Sequence, residues 1–153
     1  AIVQGGLIRV VIPKFGAVRC AGFGLFCAAT AYLGIAFAAS TMSVYLWFLV
    51  SAFAGLSGPA ITSIMSNQLP QNEQGELQGI MASAMSLASI IGPLLMTQTF
   101  AFFTSDDTPV YLPGSAFIVA ALLTVVALAI FLQQVHKLPT ANLNDSGTRT
   151  EIP

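Results

Sequence analysis

The stretch CAGFGLFCAATAYLGIAFAASTMSVYLWFLVSAFAGLSGPAITSIMSNQLPQN, residues 20–72, decides the fold because it contains no Asp, Glu, Lys or Arg. A helix rises about 1.5 Å per residue and the hydrocarbon core of a bilayer is about 30 Å thick, so about 20 apolar residues cross it. The stretch is long enough for two crossings separated by the turn Ser40-Thr41-Met42-Ser43. We predict membrane spans over 20–39 and 44–66.

The composition also places the chain in a membrane. The 153 residues are 56% hydrophobic and only 7% charged, and the mean hydropathy is +0.82. A soluble domain usually carries about 25% charged residues because its surface faces water. We therefore predict an integral membrane protein whose surroundings are the lipid bilayer. With a net charge of −1 and no basic face, nucleic acid is not expected as a partner.

Two more apolar segments complete the predicted organisation. Spans over 73–103 and 113–133 follow the first two, and residues 1–12 have the composition of the end of another helix. A loop over 13–19 and a polar, disordered tail over 134–153 flank the complete spans. The apolar runs are continuous rather than alternating, so the predicted fold is an all-α, multi-pass transmembrane bundle. We expect the chain to be a C-terminal fragment, since its first apolar run is too short to span a bilayer.

The basic residues predict the orientation. Arg9, Lys14 and Arg19 precede the first complete span, and Lys137 and Arg149 follow the fourth. Four crossings return the chain to the side where it started, so all five basic residues lie on one side. The positive-inside rule makes that side the cytoplasm. We predict an inner-membrane protein with a cytoplasmic C-terminal tail.

Helix ends are predicted from capping residues. Asn72 is expected to cap a helix that begins near Glu73. Glu76 joins Glu73 in the first turn, where the positive end of the helix dipole favours carboxylates. Pro113 suits the first turn of the last helix, because its missing N–H would have no partner there.

Small residues recur at the spacing of helix turns. Gly75, Gly79 and Ser83 are four apart, and the same interval separates Gly34 from Ala38. In lipid, such small faces let helices approach closely. We predict that Gly75 and Gly79 pack against other helices, some of them in the missing N-terminal half of the same protein.

Two Gly-Pro pairs, Gly58-Pro59 and Gly92-Pro93, lie inside predicted spans. Proline frees the carbonyl four residues earlier and bends a helix. Each bend is either a static kink or a hinge that lines a cavity. Amides and hydroxyls inside a span also point to a cavity or a helix interface. Four such side chains are further cavity candidates: Gln4, Ser83, Ser86 and Gln98.

The signals for catalysis and metal binding are weak. Gly55-Leu56-Ser57-Gly58 fits the segment around the nucleophile of rhomboid-type intramembrane proteases. A serine nucleophile needs a general base within hydrogen-bond reach, and the single histidine, His136, follows the last span. Cys20 and Cys27 are two helical turns apart, too far for a disulfide, and are interpreted as small packing residues. We expect no enzyme and no metal site, with a protease using Ser57 as the least favoured alternative.

Two segments resemble the major facilitator superfamily of transporters. QGGLIRVVIPKFGAVR, residues 4–19, resembles the loop between spans eight and nine, where a Gly-x-Leu is followed by a basic residue, an aromatic residue and glycine. The matching positions are Gly5, Leu7, Lys14, Phe15 and Gly16. SNQLPQNEQGELQGIMASAMSLASIIGPLL, residues 66–95, resembles the loop into span eleven of the tetracycline-efflux branch. Its matching positions are Gln74, Gly75, Leu77, Gln78, Gly79, Gly92, Pro93 and Leu94.

The resemblance implies a fold, a function and partners. The chain would supply the end of span eight and spans nine to twelve of a twelve-helix transporter. The implied function is proton-coupled efflux of a small-molecule drug of the tetracycline type by alternating access. The acids that carry protons would lie in the missing half. The proton would be the coupling ion, with a drug–magnesium chelate as cargo if the drug is tetracycline, and no other cofactor is implied.

The resemblance also assigns a gating loop formed by Gly5, Leu7, Arg9, Lys14 and Gly16. Glycine would let two helix ends approach closely, and Lys14 would meet a helix C-terminus or a neighbouring carboxylate. Arg9 stands near a position where the family has Asp. The alternative to a transporter is a non-catalytic membrane subunit that only packs helices against partners, which the small-residue spacing also fits.

Overall fold

The computed structural model describes residues 14–105 and 112–137. Within these ranges it contains a 3-10 turn, no strand and five α-helices: α1 Ala17–Ala36, α2 Thr41–Ala54, α3 Ser57–Asn67, α4 Gln74–Thr104 and α5 Ser115–Lys137. Four helical stretches are long and apolar enough to cross a bilayer: Ala17–Ala36, Thr41–Asn67, Gln71–Thr104 and Ser115–Val135. The predicted all-α transmembrane bundle is confirmed.

The second membrane span is interrupted, whereas the sequence predicted one helix over 44–66. A break at Gly55 and Leu56 separates α2 from α3. Pro59 accounts for it, because without an N–H it cannot bond to the carbonyl of Gly55, one turn earlier. The backbone forms a tighter turn there, in which the N–H of Leu56 donates to the carbonyl of Phe53, three residues earlier, at 3.1 Å. The bend therefore lies one turn before the Gly-Pro pair that predicted it.

Helix α1 occupies the centre of the bundle and packs against α2, α3 and α5. Its small residues Cys20 and Ala21 form a core with Ala60 of α3. Three partly buried side chains surround this core: Ile61, Ile64 and Phe131. Cys20 and Cys27 are both buried, as expected of packing residues.

Helices α1 and α5 are antiparallel. Near the start of α1, a Cβ built on Gly22 would lie 3.8 Å from the ring of Phe131, near the end of α5. At the opposite end, Gly114 lies against the backbone of Ala36, the last residue of α1. The Arg19 end of α1 and the C-terminal end of α5 thus share one end of the bundle, as four crossings require.

The start of α4 differs from the prediction. Gln71–Glu73 forms a 3-10 turn after Pro70, and the N–H of Glu73 donates to the carbonyl of Pro70 at 3.0 Å. Asn72 lies inside this turn, so the predicted Asn72 cap is wrong. Glu73 takes the cap position and makes no side-chain bond there. Glu76 lies in the first turn of α4, as predicted.

Three helix boundaries also shift. Helix α1 begins at Ala17, inside the predicted 13–19 loop, and Lys14 and Phe15 of that loop are helical as well. Helix α2 begins at Thr41 because Ser40 caps it, accepting the N–H of Ser43 at 3.3 Å. Helix α5 begins at Ser115, so Pro113 precedes the helix instead of opening it.

Helix α5 continues to Lys137 and takes residues 134–137 of the predicted tail, since no helix-breaking residue intervenes before Pro139. The predictions for 1–12 and for the rest of the tail fall outside the described residues.

Candidate functional site

Helix α4 carries most of the predicted site residues that the structure describes, and its geometry places several of them on one side. Successive residues turn about 100° around a helix axis, which places one set within an arc of about 120°. We call this set the small-residue face: Gly75, Gly79, Ser83, Ser86, Ser89, Pro93 and Thr97. Gln98 lies about 60° beyond one edge of this face, and the half-buried Gly92 lies about 60° beyond the other edge, on the more buried side of the helix.

The small-residue face is exposed along its whole length. A Cβ added to Gly75 or Gly79 would meet nothing within 4 Å. The more buried side of α4 is centred about 130° away around the helix. That side carries Leu77, Met81, Met96, Thr99 and Phe103. Within the described ranges, no helix covers the small-residue face.

The hydroxyl groups on this face bond to their own helix. Ser83 and Ser86 each donate to the carbonyl four residues earlier, both at 2.9 Å. Thr97 donates in the same way at 2.7 Å. These bonds use the hydroxyl protons and leave oxygen lone pairs on the exposed surface. The face can therefore accept hydrogen bonds from a ligand or a helix while remaining small enough for close approach.

The two Gly-Pro pairs have different surroundings. Helix α4 runs unbroken through Gly92-Pro93, and a Cβ on Gly92 would meet nothing within 4 Å. Gly58 and Pro59 are exposed, but the break before them is packed against α1. Leu56, inside the break, is only 2% exposed.

The contact that holds this break is made by Gly24 of α1. A Cβ built on Gly24 would lie 2.8 Å from the backbone nitrogen of Ser57 and 3.2 Å from its Cα. Only a residue without a side chain fits at that distance. Ala60, one turn further along α3, is fully buried. The first turn of α3 is thus fixed to α1.

The described part of the gating loop contains Lys14 and Gly16. Both are exposed, and Gly16 has φ 83° and ψ 141°, a conformation that residues with a Cβ rarely adopt. The carbonyl of Gly16 accepts the N–H of Cys20 at 3.2 Å, so this turn starts α1. Four predicted site residues lie outside the described ranges: Gln4, Gly5, Leu7 and Arg9.

Comparison with known proteins identifies the family to which this helix arrangement belongs. Residues 7–151 match the model of the Major Facilitator Superfamily. The chain belongs to the major facilitator superfamily. The predicted resemblance is confirmed over nearly the whole chain.

Several relatives within the superfamily are tetracycline resistance proteins. The chain is 31% identical over 128 residues to the class C protein of Escherichia coli, covering 84% of the chain and 31% of that relative. It is 32% identical over 130 residues to the class G protein of Vibrio anguillarum, covering 85% of the chain and 32% of the relative. The chain therefore spans about a third of the length of these relatives. No solved structure gives a significant match.

Ser57 of this major facilitator chain lacks the surroundings of a nucleophile. Its hydroxyl donates to the carbonyl of Ala54 at 2.7 Å, so the proton that a general base would remove is bonded to backbone. The close contact with Gly24 leaves no room beside its backbone. The geometry gives the protease alternative no support. Among the described residues, no three His, Cys, Asp or Glu side chains cluster as metal ligands would.

Sequence reasoning missed the tightest contacts in this superfamily member. The indole of Trp47 lies over Gly34, so close that a Cβ there would overlap the ring. The interval between Gly34 and Ala38 signalled a close contact, but a spacing does not identify the partner. Ser115 is 3% exposed, and its Oγ has no hydrogen-bond partner in the described part of the chain. Nothing in the sequence distinguished Ser115 from the other serines.

Proposed function

We propose that the chain forms part of a proton-driven exporter of tetracycline-type drugs, located in the inner membrane with its C-terminal tail in the cytoplasm. The observation that supports this most strongly is the family match over residues 7–151, together with relatives named as tetracycline resistance proteins. Because the chain spans about a third of those relatives, transport would require helices of an N-terminal half as well.

In this proposal the small-residue face of α4 meets the transport cavity or a helix of the N-terminal half. Its exposed position supports this role, because a ligand or another helix could reach it without displacing a described helix. The serine oxygens would accept hydrogen bonds from a drug or from water. Gln98, exposed beside the face, would turn its amide toward the cavity because an amide is costly against lipid.

Alternating access would use the two Gly-Pro pairs differently. We assign the hinge to Gly92-Pro93, where the helix is continuous, lacks one backbone bond and has open space beside Gly92. We assign a static kink to Gly58-Pro59, because the adjoining break is anchored by Gly24 and the buried Leu56.

The gating loop would close the cytoplasmic end. The exposed Lys14 would pair with a helix C-terminus or carboxylate, and the positive φ of Gly16 would set the angle between the loop and α1. Gly5, Leu7 and Arg9 would complete the loop. The proton would be the coupling ion, carried by acids outside this chain, and magnesium would travel with the drug as part of the cargo.

Drug-dependent proton exchange in vesicles tests the proposal. Inverted Escherichia coli membrane vesicles would carry either the complete reading frame or residues 1–153 alone, with a pH-sensitive dye reporting protons after tetracycline is added. We expect exchange with the complete protein and none with residues 1–153, which supply only one side of the cavity. A complete protein without exchange overturns the proposed function, and exchange by residues 1–153 overturns the division of roles.

The role of the small-residue face is tested by Gly79→Leu in the complete protein. The added side chain should abolish close approach at this face and lower both membrane yield and drug-driven proton exchange. Ala84→Leu is the matched control, since Ala84 is also exposed but lies about 140° away around the helix. If both variants behave like the parent, the face has no packing or transport role. A lower yield for Gly79→Leu, with no exchange even in the parent, favours the non-catalytic subunit.

A further inference from the structure

The N-terminal end of α5 meets the C-terminal end of α1 at the end of the bundle opposite Arg19. Gly114, the residue before α5, lies so close to Ala36 that a Cβ on it would overlap the Ala36 carbonyl. That carbonyl accepts no backbone N–H within the described ranges. The last carbonyls and the first N–H groups of a helix have no partner inside the helix. This junction therefore brings together acceptors of α1 and donors of α5.

Ser115, the first residue of α5, carries a buried hydroxyl group at this junction. The residue is 3% exposed, and no other polar side chain in the described ranges is buried. Its Oγ has no hydrogen-bond partner in those ranges. A serine deeper in a helix, such as Ser83, donates to the carbonyl four residues earlier, whereas Ser115 has no helical turn before it. Because a buried hydroxyl without a partner is costly, this one points to a ligand.

The first turn of α5 also leaves a backbone donor unpaired beside this hydroxyl. The N–H groups of Ser115, Phe117 and Ile118 each donate to a backbone carbonyl, at 3.0–3.2 Å. The N–H of Ala116 has no backbone acceptor among the described residues. Gly114, in the cap position, has no side-chain oxygen to supply one. Side chains of a helix tilt toward its N-terminus, so the hydroxyl of Ser115 extends toward the same end as this N–H.

The charges of the two helix ends select a neutral ligand. The N-terminus of α5 carries a partial positive charge, which repels a cation. The C-terminus of α1 carries a partial negative charge, which repels an anion. The ligand must also accept a hydrogen bond from the N–H of Ala116 and be able to donate one to the carbonyl of Ala36. Water meets these requirements, since a buried water makes about three hydrogen bonds to groups of this kind.

We propose that one buried water molecule binds at this junction and bridges α5 to α1. It accepts from the N–H of Ala116, bonds to the Oγ of Ser115 and donates to the carbonyl of Ala36. Each group left unpaired by its own helix thereby gains a partner, and no charge is buried. The bridge fixes the two helix ends against each other at the membrane surface opposite the basic residues, and it does not depend on what the protein transports.

Removing the hydroxyl tests whether it has a partner. In the complete protein, loss of the bond to the water in Ser115→Ala should lower the thermal unfolding midpoint by about 2–4 °C. Removing an unpartnered hydroxyl would instead leave the midpoint unchanged or raise it, and that result would overturn the proposal. Ser51→Ala is the control, because the half-buried Ser51 donates within its own helix, to the carbonyl of Phe48 at 2.7 Å. Its midpoint should stay near that of the parent.

A larger side chain distinguishes a water molecule from a protein group. Asparagine exceeds serine by roughly the volume of one water, about 30 Å³, and its amide both donates and accepts. Ser115→Asn should therefore displace the water, replace its bonds and unfold at a higher temperature than Ser115→Ala. If protein atoms contacted the Oγ directly, the amide would be overpacked, and a midpoint at or below that of Ser115→Ala would overturn the proposal. Should Ser115→Ala not accumulate in the membrane, the proposal stands only if Ser115→Asn accumulates like the parent.

Discussion

The two Gly-Pro pairs carry the same local signal and have different outcomes. Before Pro59 the helix is broken at Gly55 and Leu56, whereas α4 passes through Gly92-Pro93 without interruption. Each proline removes one backbone hydrogen bond. The difference therefore arises from what surrounds the bond that is lost.

Packing explains why only one of these helices breaks. In the second span, Gly55 and Leu56 keep right-handed helical dihedral angles, Leu56 lies in a buried site, and the backbone of Ser57 meets Gly24. These contacts offset the lost helical bond. Around Pro93 the helix is exposed, so breaking it would leave backbone groups unpaired in lipid with no new contacts to compensate. A proline in a membrane helix thus breaks the chain where neighbours stabilise the break, and otherwise only weakens it.

The largest effect is expected from Gly24→Val, which disrupts the close contact between Gly24 and the backbone of Ser57 beside the break. A Cβ at 2.8 Å from a backbone nitrogen forces α1 and α3 apart, and such overpacking costs about 1–3 kcal/mol. Thermal unfolding in detergent should show the loss of stability. Gly75→Val is the control, since a Cβ on Gly75 meets nothing within 4 Å and no proline follows it. Equal destabilisation by the two variants would show that the break is not held by Gly24.

Replacing each proline by alanine tests the comparison directly. Pro93→Ala restores a donor inside a continuous helix and should raise stability by about 1 kcal/mol. Pro59→Ala should gain less, because straightening the second span would move Leu56 out of its buried site. Thermal unfolding measures the stability changes of the two variants. Amide hydrogen exchange over 52–60 and 88–96 shows where new backbone hydrogen bonds form. A larger gain for Pro59→Ala would contradict the proposed stabilisation of the break.

The smallest effects are expected from Gly58→Ala and Gly92→Ala. Apart from the following proline, neither new methyl group has a heavy atom within 4 Å. The contact with the proline Cδ disfavours the helical conformation and offsets the gain of about 0.5–1 kcal/mol from reduced freedom of the unfolded chain, so we expect a net stability change near zero. Drug export by the complete protein then separates the pairs. We expect Gly92→Ala to slow export because it stiffens the hinge, and Gly58→Ala to leave export unchanged. Slowing by Gly58→Ala alone would reverse the assignment.

The spans could be predicted from the sequence because membrane insertion depends on the composition of a continuous run. Residues 20–72 contain no charge, so their place in the bilayer needs no knowledge of other helices. The back-bonding of Ser83 and Thr97 is local in the same way. The carbonyl of Gly55 that Pro59 leaves unpaired also follows from a local rule, whereas the break itself depends on the packing around it.

The contacts between helices could not be predicted in this way. Gly24 and Gly34 are both glycines of α1, yet one admits the backbone of Ser57 and the other the ring of Trp47. A small residue indicates that another part of the protein approaches closely, but it does not identify the helix to which that part belongs. The error at Asn72 has a different, local cause, because the carbonyl of Pro70 supplied an alternative turn that competed with the cap.

Helix α4 has 31 residues and is therefore about 46 Å long, well beyond the hydrocarbon thickness of about 30 Å. A helix of that length tilts more in a thin bilayer and less in a thick one. Tilting displaces the two ends of α4 in opposite directions along the bilayer plane, so that Gly75 and Gly79 shift relative to Thr97. We expect lipid chain length to set this angle, which oriented infrared spectroscopy in short-chain and long-chain bilayers would measure. Membrane thickness would then control the tilt of α4 in the protein.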